Sequence, residues 1–284
     1  MKLYFASDPG VSSSRCKVFF PEPEILGFTG GPGCGDTALF GNQLASMVAL
    51  EAGVSRIYLT RRVWFPDLTT RMTIGMVDTR TLSAWPQLGE QFRPLVLEGL
   101  PEGVSCAQPQ VLRRGGRFEL FFWVHGAGMI RYVKGEGSDG VRFRVQNLER
   151  PCLYHPCDRD VGMEPSAAGL LTVKDHLEKK VERRADLRRL ISNDATTVSY
   201  DEAVGQYVMY SVMLLKSEFS PERRVDEDNA PEWVRVIHRR TSPDGLAWSD
   251  AELVLWAQPW ERVDLQFYSL QTLLQPGRIC GVAG

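Results

Sequence analysis

The chain has 284 residues, of which 43% are hydrophobic and 24% charged, and its 33 basic and 35 acidic residues give a net charge of −2. A chain of this composition buries a core without disulfides or metals, and it lacks the basic patch that nucleic-acid binding requires. No apolar run approaches the roughly 18 residues of a membrane span, and the first ten residues do not have the pattern of a signal peptide. We therefore expect a cytoplasmic protein with neither nucleic-acid nor membrane partners.

The Gly-rich segment 25–62 has two interpretations. A strand, Gly-rich loop and helix would form a dinucleotide-binding unit with phosphate at the helix N-terminus. Its glycines do not fit GxGxxG, because the third would fall on Asp36 or Ala38. No acidic residue ends the following strand, and the sequence beyond it is β-rich. We therefore interpret the segment as a Gly/Pro loop that leads into a first hairpin.

The most informative feature is an internal repeat. Four stretches each contain two apolar or alternating runs around a short polar or Gly-containing turn, which is the signature of a β-hairpin. They are residues 44–63, 109–124, 195–213 and 267–284.

A third strand and a turn follow each of the first three hairpins, at 72–85, 130–144 and 234–250. The second and third copies contain Asp139-Gly140 and Asp244-Gly245, each followed by an aromatic residue, and Trp85 holds the aromatic position in the first. Asp-Gly favours a turn because glycine accepts positive φ and the aspartate side chain caps its own backbone. The repeated unit is thus hairpin, third strand, turn and fourth strand.

Two insertions explain the uneven spacing of the units. Residues at about 158–192 include an apolar face at helical period, which predicts an inserted helix. Residues at about 214–232 are polar and contain proline, which predicts a long surface loop.

A four-stranded unit repeated along the chain predicts an all-β fold, a β-propeller of four-stranded blades, in a single domain over residues 1–284. Three full units and a half-unit do not close a ring. Either the N-terminal 40 residues supply the missing strands, or the propeller is incomplete at its C-terminus. An incomplete ring exposes an unpaired strand edge, which a second copy of the chain would pair with in a homo-oligomer.

The six cysteines form no CxxC pair, and the four histidines are scattered. Cys152, His155 and Cys157 together would supply three zinc ligands, but Pro156 separates the last two and a fourth ligand is missing. We therefore expect reduced thiols, no metal and no cofactor.

The repeat resembles the five-bladed β-propeller glycoside hydrolase-like proteins related to families 32, 43 and 68. The resembling pieces are SNDATTVSYDEAVGQYVMY, RRTSPDGLAWSD, DLQFYSLQTLLQPGRICGVAG, and the second unit from QPQVLRRGGRFELFFWV to SDGVRF. The resemblance covers about two-thirds of the chain. It implies a central funnel, lined by the innermost strand of each blade, in which two or three carboxylates act on a glycosidic bond of an oligo- or polysaccharide.

Aligning the hairpins with that family assigns the candidate residues. The resemblance implies catalytic roles for Asp194, Asp264 and Asp36, at or near the starts of the third, fourth and first inner strands. It implies substrate contacts for polar side chains near the same starts and at the funnel rim: Gln108, Gln266, Gln43 and His155.

A glutamine occupies the carboxylate position at 108, and no glutamate falls at the start of an inner strand, although the family usually has a glutamate as general acid. The alternative function is therefore a non-catalytic carbohydrate-binding or scaffold propeller that has lost its acids. Trp64, Trp256 and Trp260 lie near predicted loops. We expect them to pack in satellite clusters, with a sugar-stacking platform as the alternative.

Overall fold

A computed structural model describes residues 38–39, 46–64, 70–80, 92–154, 189–216, 233–258, 260–261, 265–275 and 278–283. Within these ranges the regular structure consists of β-strands and one short 3-10 turn at Glu51–Gly53, with no α-helix. The prediction of an all-β fold is confirmed for this part of the chain. No helix in the described ranges has the length and apolar character needed to cross a membrane.

The described strands form four sheets, and the chain divides into two compact units. Unit 1 comprises Met1–Val124 and Gly135–Gln146, and unit 2 comprises His125–Lys134 and Asn147–Gly284.

Sheet I lies in unit 1 and contains the predicted first hairpin and third strand. Strands β2 and β3 pair antiparallel as the hairpin, and β4 pairs antiparallel with β3 along its length. The order is β1-β3-β4-β5, with β2 also on β3. The strands are β1 (Ala38–Leu39), β2 (Ser46–Ala49), β3 (Ser55–Trp64), β4 (Thr70–Thr79) and β5 (Arg93–Pro94).

Sheet II has the order β6-β10-β9-β8-β7, with β11 also on β9, and the boundary between the units passes through β8 and β9. The predicted second hairpin, β7–β8, turns at Gly115 and Gly116, whose φ values are +52° and +77°, as a two-residue hairpin turn requires. Strand β6, for which the sequence has no clear signal, runs parallel to β10. The strands are β6 (Val96–Glu98), β7 (Ser105–Arg114), β8 (Arg117–Gly126), β9 (Met129–Gly137), β10 (Arg142–Val145) and β11 (Leu153–Tyr154).

Sheets III and IV lie in unit 2 and contain the predicted third and fourth hairpins. Sheet III has the consecutive order β12-β13-β14-β15, which is the order of a four-stranded propeller blade. Sheet IV is the antiparallel pair β16–β17. The strands are β12 (Arg189–Asp201), β13 (Gln206–Lys216), β14 (Trp233–Ser242), β15 (Glu252–Leu255), β16 (Leu270–Gln275) and β17 (Arg278–Ala283).

Each predicted insertion overlaps a described strand at one end. Strand β12 begins at Arg189, so the last residues of the predicted helix at 158–192 are strand; the rest of that insertion lies outside the described residues. Ile191 continued the apparent helical period, but its backbone pairs with Met213 of β13. Strand β13 likewise extends through Lys216, into the predicted loop at 214–232, of which residues 217–232 lie outside the described ranges. Long-range strand pairing overrides the local pattern at both positions.

The two Asp-Gly turns have the predicted chemistry. Gly140 and Gly245 have φ values of +68° and +74°. The Oδ1 atoms of Asp139 and Asp244 accept backbone N–H groups two and three residues further on at 2.8–2.9 Å, those of Val141 and Arg142 and those of Leu246 and Ala247. These donors hold the pKa of both carboxyl groups below its ordinary value, because they stabilise the charged form.

In unit 1, the Asp-Gly turn of sheet II is anchored to β3 of sheet I. Arg56 Nη1 donates to the Asp139 carbonyl oxygen at 2.7 Å, and the Tyr58 hydroxyl donates to the Gly140 carbonyl oxygen at 3.0 Å. The Phe143 ring, just after the turn, meets the Tyr58 ring edge to face with centroids 6.4 Å apart. The aromatic residue that follows the turn therefore packs against the preceding sheet.

In unit 2, the same scheme recurs with different side chains. Lys134 Nζ donates to the Asp244 carbonyl oxygen at 2.9 Å, and Cys152 Sγ donates to the Gly245 carbonyl oxygen at 3.4 Å. In both units, side chains from the earlier sheet therefore bind both carbonyl groups of an Asp-Gly turn. The repeat seen in the sequence is also a repeat of inter-sheet bonding.

The strand that begins each hairpin also contacts the corresponding strand of the next hairpin within the same unit. We call these hairpin-opening strands, β2, β7, β12 and β16, the first strands. In unit 1, Ser46 Oγ of β2 accepts the Val111 N–H of β7 at 2.9 Å. In unit 2, Thr197 Oγ1 of β12 donates to the Leu270 carbonyl oxygen of β16 at 2.8 Å. Each unit therefore brings two such strands side by side, and one strand of each pair contains a candidate site residue, Gln108 in β7 and Asp194 in β12.

Candidate functional site

Three of the seven candidate residues lie within the described ranges. Gln108 is in β7, Asp194 is in β12, and Gln266 precedes β16. The other four lie outside the described residues and stay predictions: Asp36, Gln43, His155 and Asp264.

Gln108 has an unusual backbone for a residue inside a strand. Three non-glycine residues in the described ranges have positive φ, and two of them, Ala52 and Ala127, lie at turns. Gln108 has a φ of +57° within β7, and its N–H donates to Thr60 Oγ1 of β3 at 2.9 Å. The left-handed conformation costs about 1 kcal/mol for a residue with a Cβ. Such local strain is typically retained at functional positions.

The neighbours of Gln108 are buried and unreactive. Thr60 is buried, which fixes the hydroxyl that binds the Gln108 N–H. The Gln110 side chain is buried, and its Nε2 donates to the Pro109 carbonyl oxygen at 3.0 Å. Burial raises the pKa of Cys106 to about 12, so this thiol is not a nucleophile at neutral pH. Near this point of β7, Gln108 is therefore the strongest candidate for ligand contact.

Asp194 lies in an irregular stretch of β12. The antiparallel pairing of β12 with β13 shifts register between Ile191 and Thr196, and Asp194 falls between them. Register irregularities of this kind are common beside active sites, because they bend a strand and redirect a side chain. The two described first-strand positions that the sequence singled out, at 108 and 194, therefore both coincide with departures from regular strand geometry.

Gln266 positions a buried cation. Its Oε1 accepts Arg235 Nη1 at 2.7 Å and the Arg235 N–H at 3.4 Å. The Arg235 side chain belongs to β14 and is 3% exposed, and its guanidinium carbon lies 4.4 Å from the centroid of the Tyr268 ring. Arg235 and Tyr268 were missed by the sequence analysis. An arginine within the apolar run WVRVI was the signal that could have found them.

An exposed aromatic surface follows β15. The exposed fractions of Trp256, Trp260 and Tyr268 are 42%, 82% and 46%. The expectation of satellite packing is therefore wrong for Trp260, while Trp256 is partly covered. The third tryptophan that the sequence placed near a loop, Trp64, belongs to β3 instead.

Cys152 has a structural environment in unit 2. Its Sγ accepts Asn147 Nδ2 at 3.3 Å while it donates to the Gly245 carbonyl oxygen. Burial raises its pKa to about 11, which keeps the thiol protonated. No group of three or more His, Cys, Asp or Glu residues that could hold a metal ion occurs among the described residues.

Comparisons with protein-family models and with curated proteins find no match. Among solved structures, the chain is similar to an N-acetylgalactosamine deacetylase from F. plautii in complex with blood group B trisaccharide. The identity is 14% and the TM-score 0.47, over 82% of this chain and 58% of that one. It is also similar to the GH32 β-fructofuranosidase BmSUC1 of Bombyx mori, at 10% identity and TM-score 0.46, over 87% of this chain and 44% of that one.

A thermostable family-43 glycoside hydrolase is similar at 11% identity and TM-score 0.47, over 84% of this chain and 62% of that one. The chain thus spans between 44% and 62% of the length of these three structures. Glycoside hydrolases of families 32 and 43, which the blade motifs resemble, are among the structures to which the chain is similar.

Proposed function

We propose that this protein is a glycoside hydrolase that acts on an oligo- or polysaccharide through carboxylates at or near the starts of the innermost strand of each blade. The observation that carries the proposal is the irregular backbone of β7 and β12 at Gln108 and Asp194. A regular strand alternates its side chains between two faces, and an irregularity is needed to redirect one of them.

The proposed chemistry uses Asp194 with Asp264 or Asp36 as the second carboxylate. One carboxylic acid protonates the leaving oxygen, and one carboxylate acts as nucleophile or as the base for a water molecule. A separation of about 5–5.5 Å between the two carboxyl groups gives retention, and about 6.5–9.5 Å gives inversion. Amide groups of Gln108, Gln266 and Gln43 would bind sugar hydroxyls, as would His155 at the rim.

The architecture that we propose for this site is a five-bladed β-propeller. The hairpin, third-strand and fourth-strand order of the sheets supports it, as do the repeated Asp-Gly anchors. First strands that lie side by side within each unit would line the central funnel. We also propose a cytoplasmic location, which cell fractionation tests.

The test is release of reducing sugar from arabino-, xylo-, manno- and fructo-oligosaccharides, measured for the native chain and for Asp194→Asn. We expect release that falls at least about 100-fold in the variant, because the loss of general acid or base catalysis alone costs that much. Asp201→Asn is the matched control, because Asp201 ends the same strand and its Oδ1 only caps the turn by accepting the Ala203 N–H at 2.9 Å. Equal release by native chain and Asp194→Asn contradicts the role of Asp194.

A second candidate function is carbohydrate binding without catalysis. Gln108 favours it, because a carboxamide in the position of a carboxylate hydrogen-bonds a hydroxyl but cannot transfer a proton. Binding of an oligosaccharide by folded native protein, without release of sugar from any member of the panel, would select this function.

If the propeller ring is incomplete, a second copy of the chain would close it. Sedimentation of the native chain as a monomer would exclude that closure.

A further inference from the structure

We propose that Trp256, Trp260 and Tyr268 form a stacking surface for the sugar rings of a neutral polysaccharide, on the segment that also contains the proposed site residues Asp264 and Gln266. We call it the aromatic surface. The inference rests on the proposed function for the class of ligand and does not depend on catalysis. The sequence predicts packed tryptophans in this segment, and the 82% exposure of Trp260 requires another explanation.

The exposure is unusual for residues of this size. An aromatic side chain buries 150–250 Å² when it is covered, so a tryptophan that is 82% exposed forgoes a large hydrophobic gain. Elsewhere in the described ranges, large aromatic residues such as Trp123 and Phe121 are fully buried. Trp256, Trp260 and Tyr268 fall within thirteen consecutive positions, 256–268. Exposed apolar patches are typical of interaction sites.

Hydrogen bonds link Gln258 and Glu261, which lie on either side of Trp260 in the sequence. The Glu261 N–H donates to the Gln258 carbonyl oxygen at 3.0 Å, and the Gln258 N–H donates to Glu261 Oε2 at 2.5 Å. Gln258 Nε2 also donates to the Trp256 carbonyl oxygen at 3.3 Å. These bonds close a turn that carries Trp260 in solvent. A backbone that is ordered before binding loses less entropy when a ligand stacks on the side chain that it carries.

Tyr268 is supported from within the protein. The buried Arg235 guanidinium lies 4.4 Å from its ring centroid, and Gln266 Oε1 fixes that guanidinium at 2.7 Å. The contact is a cation–π interaction that holds the ring, while 46% of the tyrosine stays exposed. Tyr268 therefore presents an aromatic surface supported by β14, and this arrangement does not depend on a ligand.

The chemistry of the surface selects a neutral polyol. Residues 256–268 contain one basic and two acidic residues, so the surface does not offer the positive charge that nucleic acids or anionic membranes require. Gln258 and Glu261 supply amide and carboxylate groups beside Trp260. A sugar ring has an apolar C–H face for an aromatic side chain and hydroxyl groups for such polar neighbours. Ligand sites typically combine aromatic side chains with a few polar groups of this kind.

The experiment measures retardation of the full chain in native gels that contain arabinan, xylan, mannan or levan. We expect Trp260→Ala and Tyr268→Ala each to weaken the affinity for the retained polysaccharide at least about tenfold, and Trp260→Phe to retain most of it. Val204→Ala is the matched control, because Val204 is an exposed aliphatic residue, at 63%, and is not part of the aromatic surface. Thermal denaturation of each variant checks that it is folded.

Separate outcomes test this inference and the proposed function. Retardation that depends on Trp260, with no release of sugar by the native chain, supports the aromatic surface and contradicts the hydrolase. Asp194→Asn should be retarded as strongly as the native chain. Absence of retardation in every gel overturns the inference, as does equal retardation of native chain, Trp260→Ala and Tyr268→Ala. A native dimer that Trp260→Ala converts to a monomer would also overturn it, because the surface would then be a contact between copies.

Discussion

Gly140 provides a sharp test of how the sheets of unit 1 are joined. Its φ of +68° is strained for a residue with a Cβ, and an added Cβ would lie 2.5 Å from the Tyr58 hydroxyl oxygen and 2.9 Å from two Phe118 ring carbons. Tyr58 and Phe118 are buried, so neither ring has open space into which it can move. Gly140→Ala therefore adds a methyl group that the surrounding core must accommodate.

Two costs add to the expected effect of Gly140→Ala. The left-handed conformation costs about 1 kcal/mol for alanine, and overpacking of a core costs roughly 1–3 kcal/mol. We expect the free energy of unfolding to fall by about 3 kcal/mol in urea denaturation followed by tryptophan fluorescence. Gly116→Ala is the control, because Gly116 also has positive φ, +77°, but an added Cβ there meets nothing within 4 Å. Its cost should be about 1 kcal/mol.

The difference in stability loss between Gly140→Ala and Gly116→Ala tests whether the core around Gly140 is tightly packed. If Gly140→Ala and Gly116→Ala lose the same stability within about 0.5 kcal/mol, the close approach of Tyr58 and Phe118 to Gly140 is not a constraint in solution. A double-mutant cycle adds a second test. Tyr58→Phe removes the hydroxyl that donates to the Gly140 carbonyl oxygen and should cost about 1 kcal/mol alone. Combined with Gly140→Ala it should cost less than the sum, because the same hydroxyl is the nearest clashing atom.

Three further predictions concern single side chains. Lys134→Met should lower the free energy of unfolding by about 1–2 kcal/mol in urea denaturation, because the Asp244 carbonyl oxygen loses its donor. The control is Arg142→Met, which breaks the exposed ion pair with Glu98 and should lower the free energy of unfolding by less than about 0.5 kcal/mol. Asp244→Asn should reduce the loss of thermal stability below pH 4. The Asp244 pKa lies below the ordinary 3.8, so its contribution is present above that pH and is lost as the pH falls through the folded-state pKa. Burial lowers the pKa of His125 from 6.5 to about 4, so the free energy of unfolding should decrease as the pH falls from 6.5 to about 4. In His125→Gln, the melting temperature should depend less on pH over this range. The same pH dependence in the native chain and the variant would contradict the prediction.

The exposure of the aromatic surface and the contacts at the candidate site could not be predicted from the sequence. The exposure of Trp260 depends on which other segments cover it, and no local pattern contains that information. The contact of Arg235 with Gln266 and Tyr268 joins β14 to residues that precede β16, about thirty positions along the chain. The left-handed backbone of Gln108 is held by Thr60, forty-eight positions earlier. Asp194 could be proposed from the hairpin alignment, but the register shift around it appears only when β12 pairs with β13.

The hairpins and the Asp-Gly turns could be predicted from local sequence, because short-range chemistry controls both. Alternating apolar residues select strands, and Gly115-Gly116 or Asp244-Gly245 selects a turn through positive φ and a capping carboxylate. The binding of Arg56 and Tyr58 of sheet I to the carbonyl groups of the Asp-Gly turn of sheet II is seen only in the folded chain. The same is true of the start of β12 at Arg189, within an apparent helical period, and of the parallel pairing of β6 with β10. These features depend on hydrogen-bond partners distant in sequence, and a local pattern does not specify them.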